Sequence, residues 1–504
     1  MGRAAQWLSL AMGCTAAVTC AVAATLVARR AAAWCRWSRV VEVVRGFEEG
    51  CAAPTERLQR VVNSLAVEMF AGLASEGASK VRMLLTCIDT LPNGSEEGIY
   101  YVIDLGGTSF RVMRLELGPG SMVINKKVEH QPIPEKLTKG TSEDLFDLIA
   151  SALKKFIERE GGKDDEGTTL GFTFSFPVRQ VSISSGSLIR WTKEFSIEET
   201  VGKDVAQCLN EALARNGVNL QITALVNNAV GTLAMGHYYD EDTVAAVIIG
   251  AGTNASYIER SAAITKCRGL LTNSDLMVVN VEWGSFRPPQ IPLTPYDICF
   301  NNYVKCNQYD QAFEKMISGV YLGEIARAVL QRMAQESDVF GTSVNCLSTP
   351  FIFSTPCLAA IREDDSPDLR VVSGVLKEHL KIQDVPLKTR RLVVRVCDIV
   401  TRRAARLAAA GIVAVLQKIG RDGTLCGTTK VRKIRGEPKR SVVAIEGGLY
   451  QGYSVFREYL NEAVDEILGD EIASTVTLRV MEEGSGIGAA LLAASYSSTR
   501  QNSA

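Results

Sequence analysis

The chain has 504 residues, a formal net charge of −1, 46% hydrophobic and 22% charged residues. That length and balance exclude a disordered chain and leave room for two or more domains with full cores, while near-neutral charge gives no electrostatic reason for a nucleic-acid partner. Thirteen scattered cysteines without a C-x-x-C pair, and only three histidines (His130, His237, His379), exclude a disulfide scaffold and a multi-histidine metal site.

From the N-terminus, residues 4–28 carry no formal charge. As a helix the run would span about 37 Å, enough to cross a bilayer. Arg29, Arg30, Arg36, Arg39 and Arg45 follow it, which places the body of the protein on the cytosolic side of a membrane anchored through 4–28. A cleaved signal peptide is the competing reading, but the run is long for one and only Arg3 precedes it. Residues 47–92 are expected to be helical, on the apolar period Leu58, Val61, Val62, Leu65 and Met69.

The stretch 100–116, YYVIDLGGTSFRVMRLE, predicts a strand, a glycine turn and a second strand. Gly106 and Gly107 let backbone N–H groups approach a ligand, and Thr108 and Ser109 offer hydroxyls to phosphate oxygens. Asp104 is a candidate to hold Mg²⁺ through water. A helix is expected near 142–160, a strand over 170–177, a helix around 198–215 and a strand over 221–226 that leads into Asn227-Asn228. Strands at 243–249 and 255–259 flank a second glycine–hydroxyl turn, Gly250-Ala251-Gly252-Thr253-Asn254. A buried strand follows at 277–282, mainly helix over 310–420, and a strand at 441–445 opening Glu446-Gly447-Gly448. Glu483-Gly484-Ser485-Gly486 then caps a C-terminal helix. Strands alternating with helices predict an α/β fold.

Two glycine turns between strands and two later glycine corners form a specific set. With LGGTSFRV (105–112), LGFTFSFPV (170–178), LIRWTKEFS (188–196), ALVNNAVGTLA (224–234), GAGTNASY (250–257), VEWGSF (281–286) and GSGIGAALLAAS (484–495), the chain resembles the hexokinase family, in its plant membrane-anchored branch, over essentially its whole length. The resemblance implies the two-domain actin-like ATPase, ribonuclease H-like fold with a hinged cleft, behind an N-terminal hydrophobic helix. The division it suggests is an anchor over 1–30, a helical segment over 31–96, a small α/β domain over 97–226, a large one over 227–480, and a C-terminal helix over 481–504 that returns to the small domain.

By the same resemblance glucose or a related hexose would meet Ser175, Thr192, Lys193, Asn227, Asn254, Glu282 and Glu314, with Lys193 also at the catalytic centre. ATP and Mg²⁺ would meet Asp104, Gly106, Gly107, Thr108, Ser109, Arg111, Gly250, Gly252, Thr253, Gly447, Gly448, Gly484 and Ser485. The phosphoryl-transfer half departs from the pattern. Asn228 stands where the family has its catalytic Asp, and Ala229, Ala251, Ser109, Glu194, Glu446 and Arg402 also differ from the usual residues. Between Gly420 and Ser441 the linker is longer than usual and basic, most simply a solvated loop and otherwise a docking patch. The expectation is a glucose-binding, catalytically impaired sensor with an unknown regulatory protein partner, bearing the anchored group's mitochondrial outer-membrane placement. The alternative is a working hexokinase that phosphorylates glucose, and fructose by extension, at the entry of glycolysis.

Overall fold

The computed structural model describes residues 2–107, 109–120, 122–160, 169–192, 195–267, 274–298, 311–341, 344–423 and 439–501, with the side chains of 2–22, 267, 344 and 498–501 outside the description. Two compact units result. The first comprises Met1–Ala52, Pro292–Lys305 and Tyr321–Thr401. Its described elements are helical, and within it Phe47 packs edge-on against Tyr296, with ring centroids 5.3 Å apart. The buried Glu324–Arg327 pair braces it at 2.7 Å.

The second unit comprises Ala53–Ile291, Cys306–Val320 and Arg402–Ala504 and holds all the described strands. They are β1 (Leu84–Leu85), β2 (Gly98–Leu105), β3 (Ser109–Gly118), β4 (Met122–Pro132), β5 (Thr169–Phe174), β6 (Val178–Ser182), β7 (Ser185–Leu188), β8 (Gln221–Val226), β9 (Thr243–Ile249), β10 (Thr253–Arg260), β11 (Leu276–Asn280), β12 (Ser441–Glu446) and β13 (Val476–Val480). One sheet runs β4-β3-β2-β5-β8 and the other β1-β11-β10-β9-β12-β13. Leaving out β1, the two share one plan. An antiparallel meander (β2-β3-β4 or β9-β10-β11) is followed by two strands parallel to its first (β5, β8 or β12, β13). The two glycine turns are therefore equivalent positions, each at the first hairpin of its sheet.

Strand alternation sorts the core. Ile103, Leu105, Phe110 and Val112 face a cluster with the helices Ser142–Arg159 and Val205–Arg215. Val102, Met113 and Leu115 face the opposite cluster with Asn228–Tyr239 and Gly484–Gln501. Asn228–Tyr239 is buried almost all round, as an Ala/Gly/Leu helix without a polar face must be. It crosses Gly484–Gln501 where Gly231 meets Gly488 and Ser485, and a Cβ at 488 would run into the Gly231 carbonyl.

Several predicted bounds need correction. The helix expected over 47–92 is two helices, Gly2–Cys51 and Thr55–Ala74, because Pro54 can neither donate in a helix interior nor leave its predecessor helical. Beyond Ala74 the chain leaves the helix, and Leu84–Leu85 joins the edge of a sheet against β11. The helix expected over 198–215 begins only at Val205, where Asp204 caps it by accepting from Ala206 N (2.9 Å) and Gln207 N (3.2 Å). The strand over 170–177 ends at Phe174, and the one over 277–282 at Asn280, since Glu282 turns left-handed (φ 54°). Strands β4, β6, β7 and β13 were not expected. The linker residues 424–438, including Lys430, Arg432, Lys433 and Arg435, lie outside the described residues. Among the described residues no helix is long and apolar enough to cross a membrane, and the anchor expectation falls largely on residues whose side chains lie outside the description.

The glycine crossing yields a prediction. Gly488→Ala sets a methyl against backbone that cannot move aside, so it should destabilise the protein by about 1–3 kcal/mol. Gly374→Ala, in the open interior of the helix Arg370–Leu380, should be neutral or stabilise by up to about 1 kcal/mol. Denaturant midpoints of the two variants check this. Equal shifts would contradict the packing described.

Candidate functional site

Parallel pairing of β12 with β9 sets the exit of one beside the exit of the other. Gly250, after β9, therefore abuts Gly447, after β12, and any Cβ at 447 (φ 130°) would strike the Ile249 carbonyl. The β9–β10 turn closes on itself through Gly250 N–H to Gly252 O at 3.0 Å. The carbonyls of Gly250 and Ala251 accept from Gly319 N (2.7 Å) and Val320 N (3.2 Å) at the start of the helix Gly319–Glu336. The structure thus brings Gly250, Gly252, Gly447 and Gly448 to one place.

Beside this turn lies an amide–carboxylate set. Asn254, the second residue of β10, is 8% exposed. Its Nδ2 lies 3.1 Å from Asn227 Oδ1, 2.8 Å from Asn280 Oδ1 and 3.0 Å from Glu282 Oε1. Its Oδ1 accepts from the backbone of Ala255 (2.8 Å) and Glu282 (3.0 Å). An NH₂ group has two protons, so three acceptors around it share them. Asn280 Nδ2 adds a donor to Glu282 Oε1 at 3.1 Å. Glu282 is held in the left-handed region, sparsely populated for a non-glycine residue and typical of residues that present a side chain to a ligand. Trp283, fully buried behind it, donates from Nε1 to Thr253 Oγ1 at 3.2 Å. The Thr253 hydroxyl thus serves the wall of the pocket.

Glu314 joins the set between two glycines. A Cβ at Gly252 would lie 3.1 Å from its Oε1, and one at Gly284 2.9 Å from its Oε2. Oriented as its neighbours dictate, the Gln311 amide donates to Glu314 Oε2 (2.5 Å) and accepts from Arg190 Nη2 (2.7 Å). Asn227, Asn254 and Glu282 therefore meet directly, and Glu314 lies beside the flanking Gly252 and Gly284. Ser175 follows β5, its N–H bonded to Leu105 O at 3.1 Å, and the Thr192 carbonyl accepts from Phe195 N at 3.4 Å beside the stacked rings of Trp191 and Phe195. Lys193, Glu194 and Thr108 lie outside the described residues. Sequence reasoning missed Asn280, Gln311 and Arg190. Asn280 had a signal, a lone amide in the apolar run of β11, whereas the other two had none.

Asn227 caps the helix Asn228–Tyr239, accepting from Ala229 N at 3.0 Å. Asn228 Oδ1 lies 2.9 Å from the same N–H, so the amide oxygen of Asn228 is engaged with its own helix end. Its backbone carbonyl lies 2.9 Å from Thr232 Oγ1, whose one proton is shared between this oxygen and Glu446 Oε2.

A second polar cluster begins at Thr232. Thr232 Oγ1 also reaches Glu446 Oε2 at 2.5 Å, and Ser485 N–H donates to the same oxygen at 2.8 Å. Ser485 Oγ lies 2.9 Å from Asp104 Oδ2 and 3.2 Å from Glu446 Oε1 and accepts from Arg111 Nη2 at 2.9 Å. Arg111 is ion-paired with Asp104. Burial works against the Arg111 charge, but Asp104 outweighs it and holds the guanidinium above its ordinary pKa. Burial raises the pKa of Glu446 despite the Thr232 hydrogen bond, and Asp104 adds to the rise. Two carboxylates thus converge on one hydroxyl, beside Gly447 and Gly484. Asp104 alone would suffice for a nucleotide-borne Mg²⁺, which keeps most of its shell as water and phosphate and takes few protein ligands. Ser109 and Gly106 close the β2–β3 turn, Gly106 N–H donating to Ser109 O at 3.3 Å. Arg402, on the helix Leu387–Lys418, instead stacks on Tyr459 (4.3 Å) and donates to its hydroxyl (3.0 Å).

Comparison with known proteins matches this geometry. Sequence models of a family described as Hexokinase match residues 43–238 and 244–495. Hexokinase-10 of Oryza sativa subsp. japonica is 75% identical over 500 residues, spanning 99% of each chain. Hexokinase-3 of Arabidopsis thaliana is 52% identical over 486 residues, 95% of this chain and 97% of that one. Among solved structures, Schistosoma mansoni hexokinase complexed with glucose superimposes with a TM-score of 0.79 at 29% identity, over 91% of this chain and 99% of that one.

Asn254 supplies the test of the amide set. Asn254→Asp replaces the shared donor by a carboxylate facing Glu282 and the oxygens of Asn227 and Asn280. At neutral pH it should destabilise the protein by about 1–3 kcal/mol. Chemical denaturation reads the loss, and an unchanged midpoint would mean the three-way contact contributes nothing.

Proposed function

The chain belongs to the hexokinase family and has its actin-like α/β fold, and within that family we propose that it is a hexose-binding member with impaired ATP-dependent phosphorylation of the sugar 6-hydroxyl, acting as a sugar-responsive regulator. The observation that carries the reading is Asn228 at the helix start beside the amide–carboxylate set. In phosphoryl transfer to a sugar, the attacking hydroxyl must lose its proton. An amide oxygen is not basic at neutral pH, and that of Asn228 already accepts from Ala229 N–H. Loss of a general base typically costs about 10²–10⁴ in rate.

Binding is another matter. Asn227, Asn254, Glu282 and Glu314 present paired donors and acceptors, the complement of adjacent sugar hydroxyls. The convergence of these four supports a retained hexose pocket. On the nucleotide side, Asp104, Ser485 and the glycine turns would receive ATP, and Asp104 would face its Mg²⁺ through water. When bound, the ion neutralises charge on the transferring phosphoryl group. Ala251 offers no side-chain hydroxyl to the phosphates at its turn, and Arg402 is committed to Tyr459.

A working hexokinase is the second reading. The ordered hexose set favours it, because positioning supplies much of the rate in phosphoryl transfer. The uncharged run 4–28 and the arginines after it support a membrane anchor with a cytosolic body, and the plant resemblance supports the mitochondrial outer membrane as its place. The basic 421–440 segment is a candidate contact for a regulatory protein.

Two measurements separate the readings. Calorimetry of the protein with glucose alone should show binding, which Glu282→Ala abolishes. Steady-state kinetics should show low turnover that Asn228→Asp raises, by less than the full 10²–10⁴ because nucleotide contacts are also weakened. Ordinary turnover in the unmodified protein, unchanged by Asn228→Asp, would reject the impaired-enzyme reading.

A further inference from the structure

A cavity opens beside the glycine corner, with Arg111, Glu446, Gly447, Gly448 and Arg457 in its wall. Three kinds of donor converge there: the Ser485 N–H at the first turn of an 18-residue helix, the hydroxyls of Ser485 and Thr232, and the Arg111 guanidinium. An unsatisfied helix N–H with hydroxyl and guanidinium donors is the set that a phosphate takes up. Here a carboxylate has taken it. Glu446 Oε2 accepts from Ser485 N (2.8 Å) and Thr232 Oγ1 (2.5 Å), and its Oε1 lies 3.2 Å from Ser485 Oγ and 4.0 Å from Arg111 Nη2. The side chain is 13% exposed, so it is packed into the cradle rather than waving in the cavity.

We propose that Glu446 is an internal stand-in for a nucleotide phosphate, whose carboxylate fills the Ser485–Thr232–Arg111 cradle and holds the affinity for nucleoside triphosphates low. The contact depends on reach. Glu446 closes β12 at a corner where the family resemblance implies Asp, and its longer side chain reaches both Thr232 Oγ1 and Ser485 N–H. Charge acts in the same direction. A triphosphate entering the cavity must approach Glu446 in its wall, while the Arg111 charge beside it is already matched by Asp104. Glu446 touches no hexose ligand in the amide–carboxylate set, so the two halves of the site separate: the pocket around Asn254 stays ready for sugar while the nucleotide side is held by the protein's own carboxylate. A protein so built would report on hexose without being driven by the nucleotide pool.

The inference rests on the reading that the glycine turns and corner receive a nucleotide, and its test keeps the two apart. Calorimetry of the full chain is run with a Mg²⁺-bound β,γ-imido analogue of ATP, and separately with glucose, for the unmodified protein, Glu446→Asp, Glu446→Gln and Thr232→Val. Glu446→Asp and Glu446→Gln should tighten the analogue by about ten- to a hundredfold, the worth of displacing a charge-assisted hydrogen-bonded group. Thr232→Val keeps the side-chain shape while loosening the hold on Glu446, and should give a smaller gain. Glucose affinity should be the same in all four. If a Glu446 variant loses its glucose heat through misfolding, the other variants decide the matter. Unchanged or weaker analogue binding in the folded variants would show that Glu446 is a spectator or a nucleotide ligand, and would overturn the proposal. Absence of glucose heat in every protein, with tightened analogue binding, would reject the hexose reading and leave this one standing.

Discussion

The site depends on one contact: backbone against backbone where Gly231 of one helix meets Gly488 of the other. These helices form the shared layer between the two sheets, and each opens at a functional position. One begins at Asn228, capped by Asn227, and the other at Gly484-Ser485. Because no side chain separates them, their N-termini stand close enough for Thr232 and Ser485 to grip the same carboxylate, Glu446. A larger residue at the crossing would push the helices apart and separate the sugar side from the nucleotide side. The dense Ala/Gly composition of both helices is therefore a requirement of the site as much as of the core.

The duplicated sheet plan explains why the glycines recur. Each sheet starts with a hairpin whose turn is built on glycine, and each ends with parallel strands whose exits line up beside that turn. Gly250 and Gly447 meet because β12 pairs with β9 in parallel, and Leu105 and Ser175 are neighbours because β5 pairs with β2 in the same way. Within this frame the two polar clusters differ in kind. The Asn254 set is amides and carboxylates in mutual hydrogen bonding, suited to a neutral polyol. The Glu446 cluster is two carboxylates, one guanidinium and hydroxyls, a charged set with carboxylate in excess over cation.

Much of this was legible before the structure. Strands β2, β9, β10 and β12 announced themselves as short apolar runs buried on both faces, and β3 by a partial alternation. Strand β4 did not, since Lys126, Lys127 and their neighbours are largely exposed on both sides and only pairing with β3 makes them a strand. The helix expected through 47–92 failed at Pro54, before the apolar period starting at Leu58, and again beyond Ala74, whereas the period itself is the helix Thr55–Ala74. Asn227, Asn254, Glu282 and Glu314 were each named in advance by family resemblance. Of the partners that hold them, Asn280 lies two residues from Glu282 and Gln311 three from Glu314, whereas Arg190 comes from a distant segment and becomes visible only when the chain folds. Glu446 was noted as a departure from pattern, but its grip on Thr232 and Ser485 needed coordinates.

The central claim is that hexose binding and phosphoryl transfer are uncoupled at Asn228. Its most direct test is a single-turnover experiment on the unmodified full chain, with protein in excess over ¹⁴C-glucose and saturating Mg²⁺-ATP. Bound glucose is followed by rapid filtration, and hexose phosphate by quench and separation. The account predicts that the glucose is captured by the protein yet converted only slowly, far below the roughly 1–100 s⁻¹ usual for kinases. Conversion of the captured glucose within that ordinary range would contradict it.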